Sequence, residues 1–383
     1  MAIIIFIIIL SVLIIVHELG HFLVAKKFGI RVDEFGVGYP PKIRKLFSWR
    51  GTDFTLNWLP FGGFVKIFGE DGDATHDQES LFAKSSDIPT EHGQTLLNEI
   101  PERVINESFA YKNRGIQASV LVAGVVCNFL FAWLLIAVGF TLGMPASESM
   151  SLPLNNPHTV ITSVLSNSPA KASGLLSGDT VLSVSRGENF AEITPTEVAE
   201  FISFSKDPMT LSVLRGDKVE EIVVAPEINE SFGGLVIGVS MDTIGTVKLS
   251  PPQALWQGLV TTSELTVMMV VALGNIVLQI FSGQSVLANL TGPVGLVGLV
   301  GQVAHLGFVY ILSFTALISI NLAIINLLPF PALDGGRLLF VIIESISRRK
   351  IPAKAANILN TVGFALLLLL MILVTVQDVR NIF

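Results

Sequence analysis

The sequence has few charged residues and a single cysteine, and each shortage excludes a class of protein. Asp, Glu, Lys and Arg make up 14% of the 383 residues, against roughly 25% in soluble domains. So few charges cannot cover the surface of a protein this size in water, and 51% hydrophobic residues exclude disorder for most of the chain. Cys127 alone can form no intrachain disulfide and no cysteine-based zinc site. The net charge of −7 argues against a nucleic-acid partner. An integral membrane protein remains, in which any metal must be held by His and carboxylates.

Long apolar runs predict a polytopic α-helical membrane protein with four transmembrane helices. The first run has neither the basic n-region nor the cleavage site of a secretory signal, and it continues directly into a polar motif. We therefore interpret 2–25 as one helix, about 36 Å long and able to span a bilayer. The other predicted spans are 118–142, 306–328 and 358–376.

Lys and Arg near the ends of these spans predict their orientation. Basic residues follow the first span, precede the second, and lie between the third and the fourth. The loops 26–117 and 335–357 are therefore expected in the cytoplasm, with 143–253 and both termini on the other side. Within the cytoplasmic part, the acidic and polar stretch 70–107 is expected to be a flexible insert.

Residues 254–281 are also apolar enough to span the membrane. One extra crossing would place the basic cluster 348–354 outside, against the charge rule. We expect 254–281 either to lie on or dip into the outer leaflet, or to pair with 296–304 as a hairpin.

Residues 158–247 are expected to form a small β-rich domain outside the cytoplasm. Alternating or β-branched stretches at 160–165, 209–214 and 219–224 predict strands, and 197–203 predicts a short helix.

His17, Glu18 and His21 form an HExxH pattern within the first predicted span. Helical residues four apart share one face, so both imidazoles can reach one metal ion, and Glu18 beside them can take a proton from metal-bound water. Zinc lowers the pKa of such a water to near 7. The pattern recurs by chance in soluble proteins. Inside a membrane, however, two His and a Glu are costly and need a compensating partner, of which a cation is the simplest.

Asp334 is the second candidate, because it lies in a segment that breaks a helix at membrane depth. Pro329 and Pro331 interrupt the helix, and Gly335–Gly336 permits unusual backbone angles. Such backbone is tolerated in a membrane where it faces protein or a water-filled cavity. It could place a carboxylate beside a metal and open an extended groove for a peptide. Taken alone, the segment is better explained as a helix end at the cytoplasmic interface, with Asp334 paired to Arg337. Both motifs nevertheless fall near cytoplasmic ends of spans, as one shared metal site requires.

Taken together, the HELGH of 17–21 and the NLLPFPALDGG of 326–336 resemble the paired signatures of site-2 proteases. These are intramembrane zinc metalloproteases, and the resemblance is closest to the bacterial regulator of sigma-E protease group. It covers nearly the whole chain. Further resemblances are to a membrane re-entrant β-loop at 35–40 and 59–66, to a family element at 291–295, and to a circularly permuted PDZ domain at 160–245.

The resemblance implies a role for each site residue. It implies Zn²⁺ held by His17, His21 and Asp334, with Glu18 as the catalytic base. It also implies that Asn326 hydrogen-bonds the substrate backbone near the scissile bond. An extended substrate is expected to add to the β-loop edge, although a plain interfacial turn is an equal alternative for that loop. The expected substrate-binding residues are Asn326, Pro329, Pro331, Gly62, Gly63, Phe64 and Val65.

The sequence departs from the family pattern at two places. The outer region has room for one PDZ domain of about 90 residues, whereas the sigma-E regulator carries two. The stretch 123–128 lacks the proline that usually follows its glycine. That position is no zinc ligand, so the departure leaves the expected activity unchanged.

The expected function is hydrolysis of peptide bonds within or near the transmembrane segment of single-span membrane proteins in a bacterial inner membrane. Anti-sigma factors and remnant signal peptides are the expected substrates. Two alternatives are a PDZ-bearing scaffold with a structural metal site and a metal transporter. Glu18 argues against the scaffold, because a structural zinc needs no non-ligating carboxylate beside it. Transport is disfavoured because the polar residues cluster at one depth.

The domain organisation expected from the sequence has seven parts. They are a first helix with HELGH at 1–28, the β-loop region at 29–117, a second helix at 118–143, the PDZ-like domain at 158–247, an amphipathic or hairpin segment at 254–304, a third helix with the Asp334 motif at 306–346, and a fourth helix with the C-terminus at 356–383.

Overall fold

The computed structural model describes residues 1–70, 106–150, 152–191, 193–216, 218–229, 233–283, 291–349 and 351–382. Most of the expected acidic insert at 70–107 lies outside these residues. The chain forms two compact units, which we describe separately: 1–138 together with 252–383, and 139–251.

The described residues contain nine α-helices, built mainly from long apolar runs. The helices are α1 Ala2–Lys27, α2 Arg114–Leu142, α3 Pro169–Ala172, α4 Pro195–Ser203, α5 Pro251–Phe281, α6 Pro293–Leu306, α7 Phe308–Leu327, α8 Asp334–Ser347 and α9 Ala353–Ile382.

Five helices of the described part are long and apolar enough to cross a membrane, where the sequence predicted four spans. The four predicted spans correspond to α1, α2, α7 and α9, each with slightly different ends. The fifth is α5, a continuous helix of 31 residues that covers 254–281, the segment expected either to lie on or dip into the outer leaflet or to pair with 296–304 as a hairpin. The helix α6 has 14 residues, about 21 Å, which is short of a bilayer core.

Two long strands after α1 form a small sheet, and the two halves of each strand take different places in it. They are β1 Val32–Trp49 and β2 Thr52–Ile67. The first half of β1 pairs with 63–67 on one side and with 53–56 on the other, and 52–57 pairs in turn with the second half of β1. Among the described residues, 63–67 pairs on one side only, so it forms an edge of the sheet.

The sheet packs against the C-terminal half of α1 through a cluster of aromatic and aliphatic side chains. Phe22 of α1 is buried and contacts the rings of Phe35 and Phe54, each with centroids 5.6 Å away. Lys26 donates from Nζ to the carbonyl of Arg50 in the β1–β2 turn, at 3.0 Å. The sheet is therefore held beside the part of α1 that carries the HExxH pattern.

Asp378 near the end of α9 caps the N-terminus of α6. Its carboxylate accepts hydrogen bonds from the backbone N–H of Gly292, at 3.1 Å, and of Gly295, at 2.8 Å. A carboxylate at this place satisfies free N–H groups and favours the helix dipole. In turn, α6 packs on α1, where Val300 joins Ile9 and Leu13 in one buried cluster.

The second unit is the expected β-rich domain. Its strands are β3 Met144–Ser147, β4 Asn155–Val164, β5 Thr180–Arg186, β6 Asn189–Ala191, β7 Met209–Arg215, β8 Lys218–Val224, β9 Glu227–Asn229, β10 Gly234–Val236 and β11 Val239–Val247.

The predicted strands and the short helix of this domain fall within β4, β7, β8 and α4. The main sheet has the order β3-β11-β4-β5-β7-β8, so β3 extends it beyond the predicted start at residue 158. The short strands β9 and β10 form a separate antiparallel pair. The core is aliphatic and includes Ile161, Leu175, Val198 and Leu211.

An ion pair anchors one corner of the domain. Asp179 is almost fully buried and accepts hydrogen bonds from Nε and Nη2 of Arg215, at 2.8 and 2.7 Å, and from the backbone N–H of Leu176. Burial raises the pKa of the Asp179 carboxyl, but the hydrogen bonds from Arg215 and Leu176 outweigh it, so the pKa lies below its ordinary value.

Candidate metal centre

Three side chains predicted as metal ligands meet at one point of the membrane unit. Nε2 of His17 lies 2.8 Å from Oδ2 of Asp334. Nε2 of His21 lies 3.3 Å from the same oxygen and 3.2 Å from Nε2 of His17. Both imidazoles are buried. The two motifs are 317 positions apart in sequence, so the fold itself assembles this group.

The orientation of His21 is fixed by the neighbouring helix α2. Nδ1 of His21 lies 2.8 Å from the backbone carbonyl oxygen of Val120. A carbonyl can only accept, so Nδ1 carries the proton and Nε2 presents its lone pair to the group. A histidine that ligates a metal commonly has its other ring nitrogen held in this way.

Glycines let α1 and α2 approach closely enough to form this site. A Cβ at Gly20 would lie 2.9 Å from the backbone nitrogen of Gly124. A Cβ at Gly124 would lie 2.8 Å from Nε2 of His17 and also collide with Nε2 of His21. Gly124 therefore leaves a space directly beside both donor nitrogens.

The expected helix break brings Asp334 to the histidines. The helix α7 ends at Leu327, and Leu328 is extended. The helix α8 then begins at Asp334. Gly335 lies against the carbonyl oxygens of Leu327 and Leu328, where a Cβ would collide. The chain therefore makes a tight turn, which points the carboxylate of Asp334, the first residue of α8, towards α1.

The helix α9 contacts the turn between α7 and α8 and supports its conformation. Ala332 has a φ of +75°, a conformation that costs a non-glycine residue energy. Its backbone N–H donates to Oδ1 of Asn360, at 3.2 Å. A Cβ at Gly363 would collide with Pro331. The turn that carries Asp334 is thus held by a side chain and a close approach of α9.

The alternative partner for Asp334, Arg337, has a different contact in the structure. Arg337 forms an ion pair with Glu70, while Asp334 contacts His17 and His21. The interpretation of this segment as a helix end held by an Asp334–Arg337 pair is therefore wrong.

Glu18 lies between the histidines and the edge of the β-sheet. The backbone of Val65 hydrogen-bonds its carboxylate, and a Cβ at Gly63 would lie 3.9 Å from its Cγ. The ring of Phe64 packs over Gly36 on the neighbouring strand. The edge formed by 63–67 therefore runs directly past Glu18, with Gly62 immediately before it.

Asn326 also reaches the centre, from the last turn of α7. Its Nδ2 lies 3.4 Å from Nε2 of His17. Pro329 and Pro331 lie in the break between α7 and α8, and the structure gives neither a contact with the three candidate ligands.

The donor set suits zinc. Neutral imidazole nitrogen and carboxylate oxygen are ordinary zinc ligands, and catalytic sites have three protein ligands with a fourth position open. Ligand atoms bonded at about 2.0 Å in a tetrahedron lie about 3.3 Å apart. Two of the three separations here are 3.2 and 3.3 Å, and the third is 2.8 Å. Within the described residues this is the one group of three or more His, Cys, Asp or Glu side chains close enough to share a metal.

Comparison with known proteins decides the family. The family model of peptidase family M50 matches residues 5–370. The chain belongs to this family of zinc metalloproteases, the site-2 proteases. It is 31% identical to the zinc metalloprotease RasP of Geobacillus kaustophilus, over 100% of this chain and 98% of the relative. It is 30% identical to the regulator of sigma-W protease RasP of Bacillus subtilis, over 99% of this chain and 98% of the relative.

A solved structure also matches part of the chain. The PDZ domain of an SdrC-like protein from Listeria monocytogenes aligns with 24% of this chain and 93% of that domain, at 21% identity and a TM-score of 0.20.

The M50 membership confirms the resemblance stated from the sequence and the expectation of a membrane zinc metalloendopeptidase. The site also contains residues that the sequence analysis missed. The stretch 123–128 was noted only for its missing proline, yet Gly124 and Asn128 lie directly against the histidines. A polar asparagine in the middle of an apolar span is the sequence signal that could have identified Asn128.

Proposed function

We propose that this M50 protease hydrolyses a peptide bond within or near the transmembrane segment of single-span membrane proteins. The observation that carries the proposal is the meeting of three elements beside α1, a helix long and apolar enough to cross a membrane. These are the ligand group His17, His21 and Asp334, the carboxylate of Glu18, and the free sheet edge at 63–67. A protease that cuts inside the bilayer needs all three, because its substrate must be held extended where no water replaces its lost hydrogen bonds.

His17, His21 and Asp334 would hold the zinc ion. When bound, zinc lowers the pKa of a water to near 7 and polarises the scissile carbonyl. Glu18 takes the proton of the attacking water and returns it to the leaving amine, so that its carboxylate is restored after each cycle. The hydrogen bond from the Val65 backbone holds that carboxylate in place.

The substrate would be held by strand addition. Among the described residues, 63–67 pairs with β1 alone, so an extended peptide can pair along the other side of this edge at Gly63 and Phe64, while the backbone of Val65 is engaged by Glu18. Asn326 adds an amide beside the ligands that can bind the substrate backbone near the scissile bond.

The shared site also supports the expected topology. His17 lies near the C-terminal end of α1, and Asp334 follows the C-terminal end of α7, so these two helices run in the same direction through the membrane. The helix α2 returns the chain to the outer side. An even number of crossings must then separate α2 from α7, which favours α5 as a helix that adds no net crossing. The result is four spans with both termini and the β-rich domain outside the cytoplasm.

The β-rich domain is proposed to select substrates. It is a separate unit with its own core, and the potential metal ligands sit in the other unit. A PDZ-like domain there would admit single-span proteins already trimmed on the outside, either by excluding bulky outer domains or by binding a new C-terminus. Anti-sigma factors and remnant signal peptides are substrates of this kind. The sigma-W regulator among the relatives supports the first class.

The test is cleavage of a model single-span substrate by the purified, zinc-loaded protein and its Glu18→Gln variant. We expect the variant to keep its zinc and to lose cleavage by at least about 100-fold, since general base catalysis contributes 10² to 10⁴. Glu264→Gln is the matched control, because Glu264 is an exposed acid on α5. Cleavage by Glu18→Gln at the wild-type rate would refute the role given to Glu18. Zinc binding without any cleavage by wild type would favour the scaffold.

A further inference from the structure

Asn128 lies behind His17, on the side away from the candidate metal position. It is fully buried in α2. Its Nδ2 lies 3.3 Å from Nδ1 of His17, and its Oδ1 is buried without a hydrogen-bond partner. A buried amide oxygen without a hydrogen-bond partner destabilises the folded protein, so its presence calls for an explanation.

The backbone at Asn128 is fixed in place by another helix of the site. The hydroxyl of Ser319, a buried residue of α7, donates to the carbonyl oxygen of Asn128 at 2.8 Å. Asn326, seven positions further along α7, reaches Nε2, the other nitrogen of the His17 ring. The backbone of Asn128 is therefore held beside His17 by α7, the same helix that leads to Asp334.

The contacts of His17 with Asp334 and Asn128 are consistent with one tautomer in the arrangement seen here. Nε2 carries the proton and donates to Asp334, while Nδ1 is unprotonated and accepts from Nδ2 of Asn128. Oδ1 of Asn128 is then the atom left over.

Metal binding requires the other tautomer. A metal at Nε2 of His17 needs the lone pair of that nitrogen, so the ring proton must sit on Nδ1. Nδ1–H would then face the N–H group of the amide, and two donors cannot bond. Rotation of the amide by 180° exchanges Nδ2 and Oδ1. The unpartnered oxygen then accepts the Nδ1 proton.

We propose that Asn128 is a positioning residue for His17, which holds its metal-binding tautomer by accepting the Nδ1 proton. Because an amide has both a donor and an acceptor, Asn128 can serve His17 before and after metal binding. It acts on His17 as the carbonyl of Val120 acts on His21. The inference rests on the zinc site of the proposed function, but not on cleavage.

The test compares zinc affinity of the full-length protein and two variants, measured by competition with a chromophoric chelator. Asn128→Leu keeps the approximate volume and removes the acceptor, and we expect zinc binding to weaken 10- to 100-fold, as for other residues that orient metal ligands. The ionised carboxylate of Asn128→Asp can accept a hydrogen bond from Nδ1–H and cannot donate one. We therefore expect this variant to bind zinc at least as tightly as wild type. Cys127→Ala is the control on the same helix and should match wild type.

A purely structural role predicts a different pattern. If Asn128 serves only helix packing, both variants lower the unfolding temperature of the zinc-free protein and weaken zinc binding alike. That outcome overturns the proposal, as does wild-type affinity in Asn128→Leu. Should Asn128→Leu fail to fold, Asn128→Asp decides alone, because a tenfold loss of zinc affinity there contradicts an acceptor role. Failure of wild type to bind zinc would instead refute the site itself.

Discussion

A Cβ placed on Gly124 would lie 2.8 Å from Nε2 of His17, which is the atom that points towards Asp334. The space beside the candidate ligands therefore exists because α2 has no side chain there. Packing of α1 on α2 and formation of the metal site depend on the same residue.

Gly124→Ala is accordingly expected to abolish the site with a change of one methyl group. The methyl must displace both imidazoles or separate the helices, and a displacement of about 1 Å costs about 100-fold in rate. We expect at least that loss of cleavage, with reduced zinc content by metal analysis. Gly274→Ala is the matched control, since Gly274 lies in an apolar helix with open space around it. Full zinc content and cleavage in Gly124→Ala would contradict the geometry described.

Asp334→Ala is expected to weaken zinc binding by more than 100-fold, because it removes one of three protein ligands and leaves two neutral imidazoles. Chelator competition measures the change. Asp242→Ala, in the β-rich domain, controls for loss of an acidic side chain. Full zinc occupancy in Asp334→Ala would remove Asp334 from the ligand set.

The proposed topology predicts that a cysteine near residue 350 faces the cytoplasm. Cys127 is the only cysteine, so Cys127→Ala gives a clean background for Lys354→Cys, at the start of α9. A membrane-impermeant maleimide should label Lys354→Cys only after the membrane is opened. Lys218→Cys, in the β-rich domain, should be labelled in intact cells. Labelling of Lys354→Cys from outside would mean that α5 adds a crossing.

Deletion of 158–247, with a short linker, is expected to leave zinc binding unchanged and to relax substrate selection. The three candidate ligands and Glu18 all lie in the other unit. The truncated enzyme should cleave substrates whose outer domain is intact, which the full chain rejects. A zinc-loaded truncation that cuts nothing, or that still rejects intact substrates, would count against the domain as a filter.

Asp179→Asn is expected to destabilise the β-rich domain by about 2 kcal/mol near neutral pH, because it breaks a buried, charge-assisted pair with Arg215. The folded pKa of Asp179 lies below the unfolded value of about 3.9. The stabilisation is therefore fully present above pH 4 and is lost as the pH falls through the folded pKa. Pulse proteolysis of the full chain should show the difference between wild type and variant shrinking below pH 4. Glu221→Gln, an exposed acid on β8, should show none.

The chemistry of the site could be predicted from the sequence because its signals are local. His17 and His21 share a helix face through their spacing alone. Asp334 was assigned through the resemblance, and only the fold shows that its partner is His17 rather than Arg337. The predicted spans match four helices because apolar runs of this length have few other stable states.

Features that depend on packing between distant segments could not be predicted. Val120 and Asn128 act on the histidines because α2 meets α1 at two glycines, which no periodicity reveals. The two halves of β1, like those of β2, take different places in the sheet, and this depends on register shifts within both strands.

The last described helix, α9, supports two other parts of the membrane unit through Asp378 and Asn360. Through Asp378, α9 holds the start of α6, which packs on α1; through Asn360, it holds the turn before Asp334. A ribosome makes α9 after every other described helix. A nascent chain can therefore insert its HExxH helix early, while the contacts of Asp378 and Asn360 can form only after α9 has been made. The hydrogen bond that supports the turn before Asp334 is therefore among the last contacts of the described chain to form.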